Sequence, residues 1–167
     1  LDAVAGSATA WNPDPDESVE TLAVSPDGQT LYAGGRFTMI GGQNRNYIAA
    51  LSTSGGIPSA WNPESDNAVN ALVLSPDGSL VYVGGDFTVI GGQNRNRIAA
   101  LGIDGKALAW NPNASRGDLY SSVNTLRLSP DATMLYVGGL FSSIGGQNRN
   151  NIAALEILTG NATGWNP

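Results

Sequence analysis

The hexapeptide Gly-Gly-Gln-Asn-Arg-Asn occurs three times without a change, at residues 41–46, 91–96 and 145–150. Successive copies begin 50 and 54 residues apart, a period close to those of known repeat architectures. The same landmarks surround every copy. A Ser-Pro-Asp turn and a double glycine precede it, and Ile-Ala-Ala-Leu and then Trp-Asn-Pro follow it. The chain is therefore a tandem repeat in which one folding unit is used three times.

The composition argues against several classes of partner. The 167 residues include a single lysine and carry a formal net charge of −6. Nucleic acids and anionic membranes are bound through clustered lysine and arginine, so neither is expected as the primary partner. No apolar run approaches the roughly 18 residues that span a bilayer, so no membrane insertion is expected either.

The chain contains neither cysteine nor histidine. These residues are common metal ligands, and histidine is also the commonest general base and the usual activator of a nucleophile. Their absence argues against Ser-His-Asp, Cys-His and zinc-hydrolase chemistry and leaves carboxylate, Tyr, Lys or Arg chemistry open. We therefore expect a protein that is not an enzyme and that uses no cofactor and no metal.

Each unit is predicted to contain four short strands, a to d. In the second unit they are residues 69–75, 80–87 and 97–103, followed by a short outer strand that ends at Trp110. Strand a has apolar residues at both odd and even positions, which is typical of a strand buried on both faces. The double glycine of strand b predicts a bulge or a close approach of the backbone. No segment has apolar residues at the period of a helix. The predicted fold class is therefore all-β, a β-propeller built of four-stranded antiparallel blades.

The whole chain, residues 1–167, is predicted to be one propeller segment with three whole blades. These blades are residues 19–61, 69–110 and 123–165, and residues 1–18 form the outer edge of a preceding blade with its crossing loop. Three blades cannot close a ring, since propellers need about four to eight. Further blades from the same parent chain, or a second copy, are therefore expected as partners. The recurrence of the 1–13 pattern at 155–167 favours the first of these.

One long pattern carries a family resemblance. It reads Leu-Tyr-(Ala/Val)-Gly-Gly-x-Phe-(Thr/Ser)-x-Ile-Gly-Gly-Gln-Asn-Arg-Asn-x-Ile-Ala-Ala-Leu. It resembles the bacterial β-propeller repeats often described as delta-60 repeats, and the likeness covers nearly the whole chain. The double glycine is similar to kelch repeats, Ser-Pro-Asp-Gly to YVTN and WD40-type repeats, and residues 154–165 to the tryptophan-docking motif of quinoprotein propellers. The resemblance implies a propeller from a large secreted or surface protein, and an extracellular or cell-surface location.

Two sets of polar residues are candidate ligand-binding positions on the face that carries the b–c loops. The set repeated in every unit admits two readings, a structural tie within the loop or a ring of lectin-like sites for sugar hydroxyls and carboxylates. Its members are Asn44, Arg45, Asn46, Asn94, Arg95, Asn96, Asn148, Arg149 and Asn150. The second set differs between units and lies beside those loops. It comprises the equivalent positions Arg36, Asp86 and Leu140, and the equivalent positions Tyr47, Arg97 and Asn151.

The tryptophans of the Trp-Asn-Pro motifs also admit two readings. Each could stack on a sugar, but a large ring at the end of every outer strand is better explained by packing between blades. We assign this structural role to Trp11, Trp61, Trp110 and Trp165.

Together these features predict a non-catalytic propeller module of a secreted or cell-surface protein, serving as a rigid scaffold that binds a protein or a glycan at its loop face. Two alternatives remain open. One is a glycoside hydrolase or lyase that uses a pair of carboxylates, which must lie roughly 5–10 Å apart. The other is a purely structural spacer in a larger assembly.

Overall fold

The computed structural model describes residues 7–117 and 120–167, and within these residues every regular element is a β-strand. The predicted all-β class is thus confirmed. Nine strands form three three-stranded antiparallel sheets, one from each repeat. The first sheet is β1 (Val19–Val24), β2 (Thr30–Gly35) and β5 (Ile48–Ser52). The second is β6 (Val69–Leu74), β7 (Leu80–Gly85) and β10 (Ile98–Gly102), and the third is β11 (Ser122–Leu128), β12 (Met134–Leu140) and β15 (Ile152–Glu156).

The repeated hexapeptide is a small hairpin and not the plain loop that the sequence predicts. It joins strand pairs of two residues each: β3 (Met39–Ile40) with β4 (Gln43–Asn44), β8 (Val89–Ile90) with β9 (Gln93–Asn94), and β13 (Ser143–Ile144) with β14 (Gln147–Asn148). Gly91 and Gly92 occupy the turn with φ of 59° and 74°. Two successive left-handed residues make the tight turn that suits a two-residue hairpin, and this explains why both are glycine.

A bulge lies opposite the double glycine in every sheet, as the sequence predicts. In the second sheet Val69 pairs with Gly85 and Ala71 pairs with Gly84, so one residue of β6 is left without a partner. A Cβ atom on Gly85 would lie 2.2 Å from the Ala68 carbonyl oxygen. Only glycine tolerates this approach of the two backbones.

The predicted fourth strand is reduced to one backbone pairing per repeat: Leu51 with Pro58, Leu101 with Ala107, and Leu155 with Ala162. The sheets therefore have three strands, where four were predicted. The segment is short because the chain must leave the sheet edge at Trp-Asn-Pro, and a proline has no N–H to donate to a ladder.

The sheets lie side by side, with their first strands in contact. β6 packs against β1 and β2 on one side and against β11 on the other, so it is covered on both faces. In the first two sheets, the first glycine of the pair makes room for a valine of the next sheet. A Cβ atom on Gly34 would lie 2.5 Å from Cγ1 of Val69, and one on Gly84 would lie 2.4 Å from Cγ1 of Val123. We call each such contact between neighbouring sheets a joint.

The two outermost sheet faces differ from the joints because their apolar residues are exposed. On β1, Leu22 and Val24 are 58% and 55% exposed, whereas Leu72 on β6 is 8% exposed. On the outer face of the third sheet, Tyr136 is 41% exposed, whereas its equivalent Tyr82 is 2% exposed. The described residues form no closed ring of sheets, and they include no helix long and apolar enough to cross a membrane.

Candidate functional site

The arginine of each hexapeptide ties its hairpin to the outer segment of the same repeat. Arg95 donates from Nη1 to the Asn94 carbonyl at 2.7 Å and from Nη2 to the Leu108 carbonyl at 2.5 Å. The other two copies make the same bonds, Arg45 to the carbonyls of Asn44 and Ser59 and Arg149 to those of Asn148 and Thr163. These bonds engage the guanidinium groups within the fold, which favours the structural reading of their identity in all three repeats.

The asparagines on either side of these arginines are exposed. Asn96 donates from its side chain to the Asn113 side chain at 2.6 Å, which ties the second hairpin to the loop before the third sheet. The backbone of the same hairpin is also held by the preceding repeat, because the Gly91 N–H donates to the Pro63 carbonyl at 2.7 Å. The hairpins and the Trp-Asn-Pro crossings therefore share one face, as predicted.

Trp61 lies in the joint between the first and second sheets. It is 7% exposed, meets Tyr32 edge to face at 5.0 Å between ring centroids, and donates from Nε1 to the Gly102 carbonyl at 3.0 Å. Trp11 donates in the same way to the Ser52 carbonyl at 3.3 Å. Trp110 is partly buried and meets Tyr82 at 5.4 Å, but its Nε1 has no partner among the described residues.

Trp165 differs from these three. It is 43% exposed and meets Tyr136 at 5.8 Å, on the outer face of the third sheet. The exposure follows from its position, because the described residues contain no fourth sheet that could bury the other side of its ring.

An aspartate fixes the start of two of the three repeats. Asp66 accepts from the Thr88 and Val89 N–H groups with Oδ1 and from the Thr88 hydroxyl with Oδ2, and Asp16 makes the equivalent bonds to Thr38 and Met39. Partial burial would raise the pKa of Asp66, but the hydrogen bonds outweigh it and the pKa is lowered. The carboxylate is therefore ionised at neutral pH. In the third repeat, the Ser115 carbonyl accepts the two backbone bonds instead.

A polar cleft opens between the second and third sheets. Its volume is about 440 Å³, and Arg97, only 8% exposed, is one of the residues that line it. Arg97 donates from Nε to the Ser121 hydroxyl at 2.9 Å and from Nη1 to the carbonyls of Asp86 and Phe87 at 2.7 and 3.0 Å. We call this space the Arg97 cleft. It is lined by Asp66, Asn67, Asp86, Thr88, Arg97, Tyr120, Ser121 and Ser122.

Asp86 also borders a second space, the central depression, of about 510 Å³. Its Oδ1 accepts from the Ser122 hydroxyl at 2.5 Å and from the Asn70 side-chain amide at 3.2 Å. The depression is lined by residues of all three sheets: Glu20, Arg36, Asn70, Asp86, Ser122, Asn124 and Leu140. The sequence-predicted equivalents Arg36, Asp86 and Leu140 thus meet here. Arg36 forms an exposed ion pair with Glu20 at 3.5 Å.

The second variable position has a different environment in each repeat. All three residues have a left-handed backbone, with φ of 65° at Tyr47, 66° at Arg97 and 64° at Asn151. Tyr47 packs in the first joint, Arg97 lies in the second, and Asn151 is exposed. The structure therefore brings Arg97 and Asp86 together and separates Tyr47 and Asn151 from them.

Sequence reasoning missed Ser121, Ser122, Asn70 and Asp66 as parts of this site. Ser115 is the equivalent of Asp66 by its backbone hydrogen bonds, and Ser121 stands two residues before Val123 as Asn67 does before Val69. The third repeat therefore carries five extra residues, 116–120, of which Tyr120 lines the cleft. That insertion is visible in the sequence and was the available signal. Residues 118 and 119 of it lie outside the described residues, as do residues 1–6 of the predicted preceding blade.

The described residues contain no group of three or more His, Cys, Asp or Glu side chains that could hold a metal ion.

Segments 25–55, 75–102 and 134–155 match the model of a family described as a domain of unknown function (DUF5122) β-propeller. Three segments of the chain are therefore similar to the repeats of this β-propeller family. No curated protein sequence matches it.

The chain also matches 295 chains of solved structures. One is a chain of hydrazine synthase from Kuenenia stuttgartiensis, with a TM-score of 0.55 and 15% sequence identity. The match covers 93% of this chain but only 37% of the hydrazine synthase chain. Identity at this level shows a shared fold, and a fold that serves many proteins indicates no particular activity.

Proposed function

We propose that this chain is a non-catalytic β-propeller module of a secreted or cell-surface protein, and that it acts as a rigid scaffold binding a protein or a glycan at its loop face. One observation carries the proposal. The arginines that are identical in all repeats bind backbone carbonyls within the fold, whereas the repeat-specific Arg97 and Asp86 meet at a solvent-accessible cleft. Such a division between a constant frame and variable positions is how repeat folds present a binding surface.

The hydrogen bonds that Asp66 accepts argue against Asp66 as the acid of a glycosidase. Asp66 and Asp86 both line the Arg97 cleft, so this is the place where a pair of carboxylates could act. A glycosidase needs one of the two as a general acid with a raised pKa. The pKa of Asp66 is shifted the opposite way, since Thr88 and Val89 donate to its ionised form. Asp66 is thus poorly suited to deliver a proton.

A glycan array and a peptide array, both probed with the intact protein, test the proposed function. We expect retention of at least one ligand class without any change in the ligand. Each retained glycan is then incubated with the protein and analysed for new reducing ends or unsaturated sugars. Release of such products at a rate abolished by Asp86→Asn would favour the hydrolase or lyase alternative. Retention of no ligand on either array would favour the structural spacer.

We further propose that additional repeats of the same parent chain cover the outer face of the third sheet. The Ser52 carbonyl already accepts a hydrogen bond from Nε1 of Trp11, as the Gly102 carbonyl does from Nε1 of Trp61. If a second copy packed head to tail, its Trp165 would have to occupy the position beside the Ser52 carbonyl. Trp11 already fills that position. The mass of the native material tests this. A 17.2 kDa polypeptide that forms a stable dimer would overturn the proposal in favour of a ring of two chains.

A further inference from the structure

Arg97 has a combination of properties that packing does not explain. It is 8% exposed, yet all three of its hydrogen bonds go to uncharged oxygens, and no carboxylate of the described residues forms an ion pair with it. A buried cation without a counter-ion costs free energy. At the equivalent position of the first joint the fold uses Tyr47, which packs against apolar neighbours. The fold therefore does not require a charge at this place.

The geometry leaves one edge of the guanidinium available to a ligand. Nε and Nη1 are held by Ser121 and by the carbonyls of Asp86 and Phe87, whereas Nη2 bonds to none of the described residues. Nη2 is also not among the described nitrogens that are both buried and without a partner, so it reaches solvent in the cleft that Arg97 lines. Its two N–H groups are donors whose direction is set by the three bonds on the rest of the group.

Asp86 provides an acceptor in the same cleft. Its Oδ1 is occupied by Ser122 and Asn70, which fix the carboxylate, while Oδ2 accepts no hydrogen bond from the described residues. A held guanidinium and a held carboxylate thus line one space of about 440 Å³, a volume within the range of small-molecule sites.

The charges around the cleft select among ligand classes. Two carboxylates, Asp66 and Asp86, line it, and the chain has a net charge of −6, so an anionic ligand is repelled. The guanidinium of Arg97 in turn disfavours a cation. A neutral ligand with neighbouring hydroxyl groups fits both, because each hydroxyl can donate to a carboxylate and accept from a guanidinium. Tyr120, 78% exposed on the rim, adds an aromatic ring on which an apolar sugar face can pack.

We propose that the Arg97 cleft is a binding site for a neutral saccharide, with one hydroxyl accepting from Arg97 and a neighbouring hydroxyl donating to Asp86. This inference rests on the proposed scaffold function and names its ligand class and its place. The first joint does not offer the same site, because the side chain of Tyr47 packs there among apolar residues.

The experiment compares three ligand classes with the intact protein by isothermal titration calorimetry: neutral oligosaccharides, uronic-acid oligosaccharides and acidic peptides. We expect binding of a neutral oligosaccharide. Asp86→Asn keeps the shape but removes the charged acceptor, and Arg97→Tyr installs the residue that the fold accepts at position 47. Each should weaken binding about 10-fold or more, the range expected for hydrogen bonds to charged groups. Arg127→Gln, at an exposed arginine of β11 that lines neither the cleft nor the central depression, should leave affinity within about twofold.

Far-UV circular dichroism and thermal unfolding of each variant establish that it is folded before affinities are compared. Binding of a neutral saccharide with unchanged affinity in both Asp86→Asn and Arg97→Tyr would overturn the assignment to this cleft. Binding of acidic glycans or peptides alone would overturn the ligand class while leaving the scaffold function standing. Absence of binding by all three classes would overturn the saccharide site, while the glycan and peptide arrays decide the scaffold function separately.

Discussion

Truncation of Trp61 is the sharpest test of how the repeats are held together. Its ring lies in the first joint, 7% exposed, in contact with Tyr32 of the first sheet and hydrogen-bonded to the Gly102 carbonyl of the second. Both sheets belong to this chain, so the effect can be measured on the chain itself. Trp165→Ala is the matched control, because that ring is 43% exposed and lies on an open face.

The expected loss follows from the area that the ring buries. A buried tryptophan removes about 200 Å² from water, which at about 25 cal/mol per Å² corresponds to roughly 5 kcal/mol. Because alanine keeps Cβ and the joint can partly relax, we expect Trp61→Ala to lower the free energy of unfolding by about 3–5 kcal/mol. Trp165→Ala loses roughly half the area and no second sheet, so we expect about 1–2 kcal/mol.

Urea unfolding followed by far-UV circular dichroism measures both variants, since the substitution itself alters tryptophan fluorescence. Hydrogen exchange adds the location of the effect. The amides of β1 and β2 should lose protection in Trp61→Ala, while those of β12 and β15 should keep theirs, because repeat units are stabilised mainly by their nearest neighbours. A loss below about 1 kcal/mol, or one equal to that of Trp165→Ala, would refute a role for the ring in the joint.

Three further predictions concern the turns and the hairpin. Arg95→Lys should lower the free energy of unfolding by about 1 kcal/mol, because an ammonium group cannot reach two carbonyls as the planar guanidinium does; full stability with loss of a bound ligand would instead favour the lectin-like reading. Ala132 has φ of 53°, so Ala132→Gly should stabilise the chain by about 0.5–1 kcal/mol in thermal unfolding. The reverse change Gly28→Ala, at φ of 71° with no atom within 4 Å of a new Cβ, should destabilise it, and opposite signs would refute the backbone argument. Finally, the Ser75 hydroxyl, with backbone and side-chain donors of the same turn, lowers the pKa of Asp77 from 3.8 to about 2. Folding therefore favours the ionised form of Asp77, so this contribution to stability is complete above pH 3.8 and is lost as the pH falls towards 2. An NMR titration should show a higher Asp77 pKa in Ser75→Ala. An unchanged pKa would contradict the role of the Ser75 hydroxyl.

Much of the fold could be predicted because the same local signals recur in every repeat. The apolar residues at both parities of residues 69–74 predict a strand covered on both faces, and β6 is covered by β1 on one side and by β11 on the other. The double glycine predicts a bulge, which the pairing of Val69 with Gly85 and Ala71 with Gly84 shows. The hexapeptide hairpin was missed, although a Gly-Gly pair between short β-type segments is itself a hairpin signal.

The site could be predicted only in part, because it depends on how two repeats meet. The sequence singles out Asp86 and Arg97 as positions that vary, but it also singles out Tyr47 and Asn151, which the structure places elsewhere. Ser122 belongs to the next repeat and reaches Asp86 across the joint. A pattern within one repeat cannot predict this contact, because Asp86 and Ser122 lie 36 residues apart in two different repeats.

The structure also indicates why the same arginine recurs in all three repeats. Identity across repeats is equally compatible with three equal ligand sites and with three equal structural ties. The bonds of Arg45, Arg95 and Arg149 to backbone carbonyls favour the second reading, because a guanidinium whose planar fork is engaged within the fold has few donors left for a ligand. Arg97 differs in that Nη2 makes no bond to the described residues and the cleft is open to it. Within a repeat protein, the side chain that departs from the repeat, and not the one that recurs, is therefore the better place to look for binding.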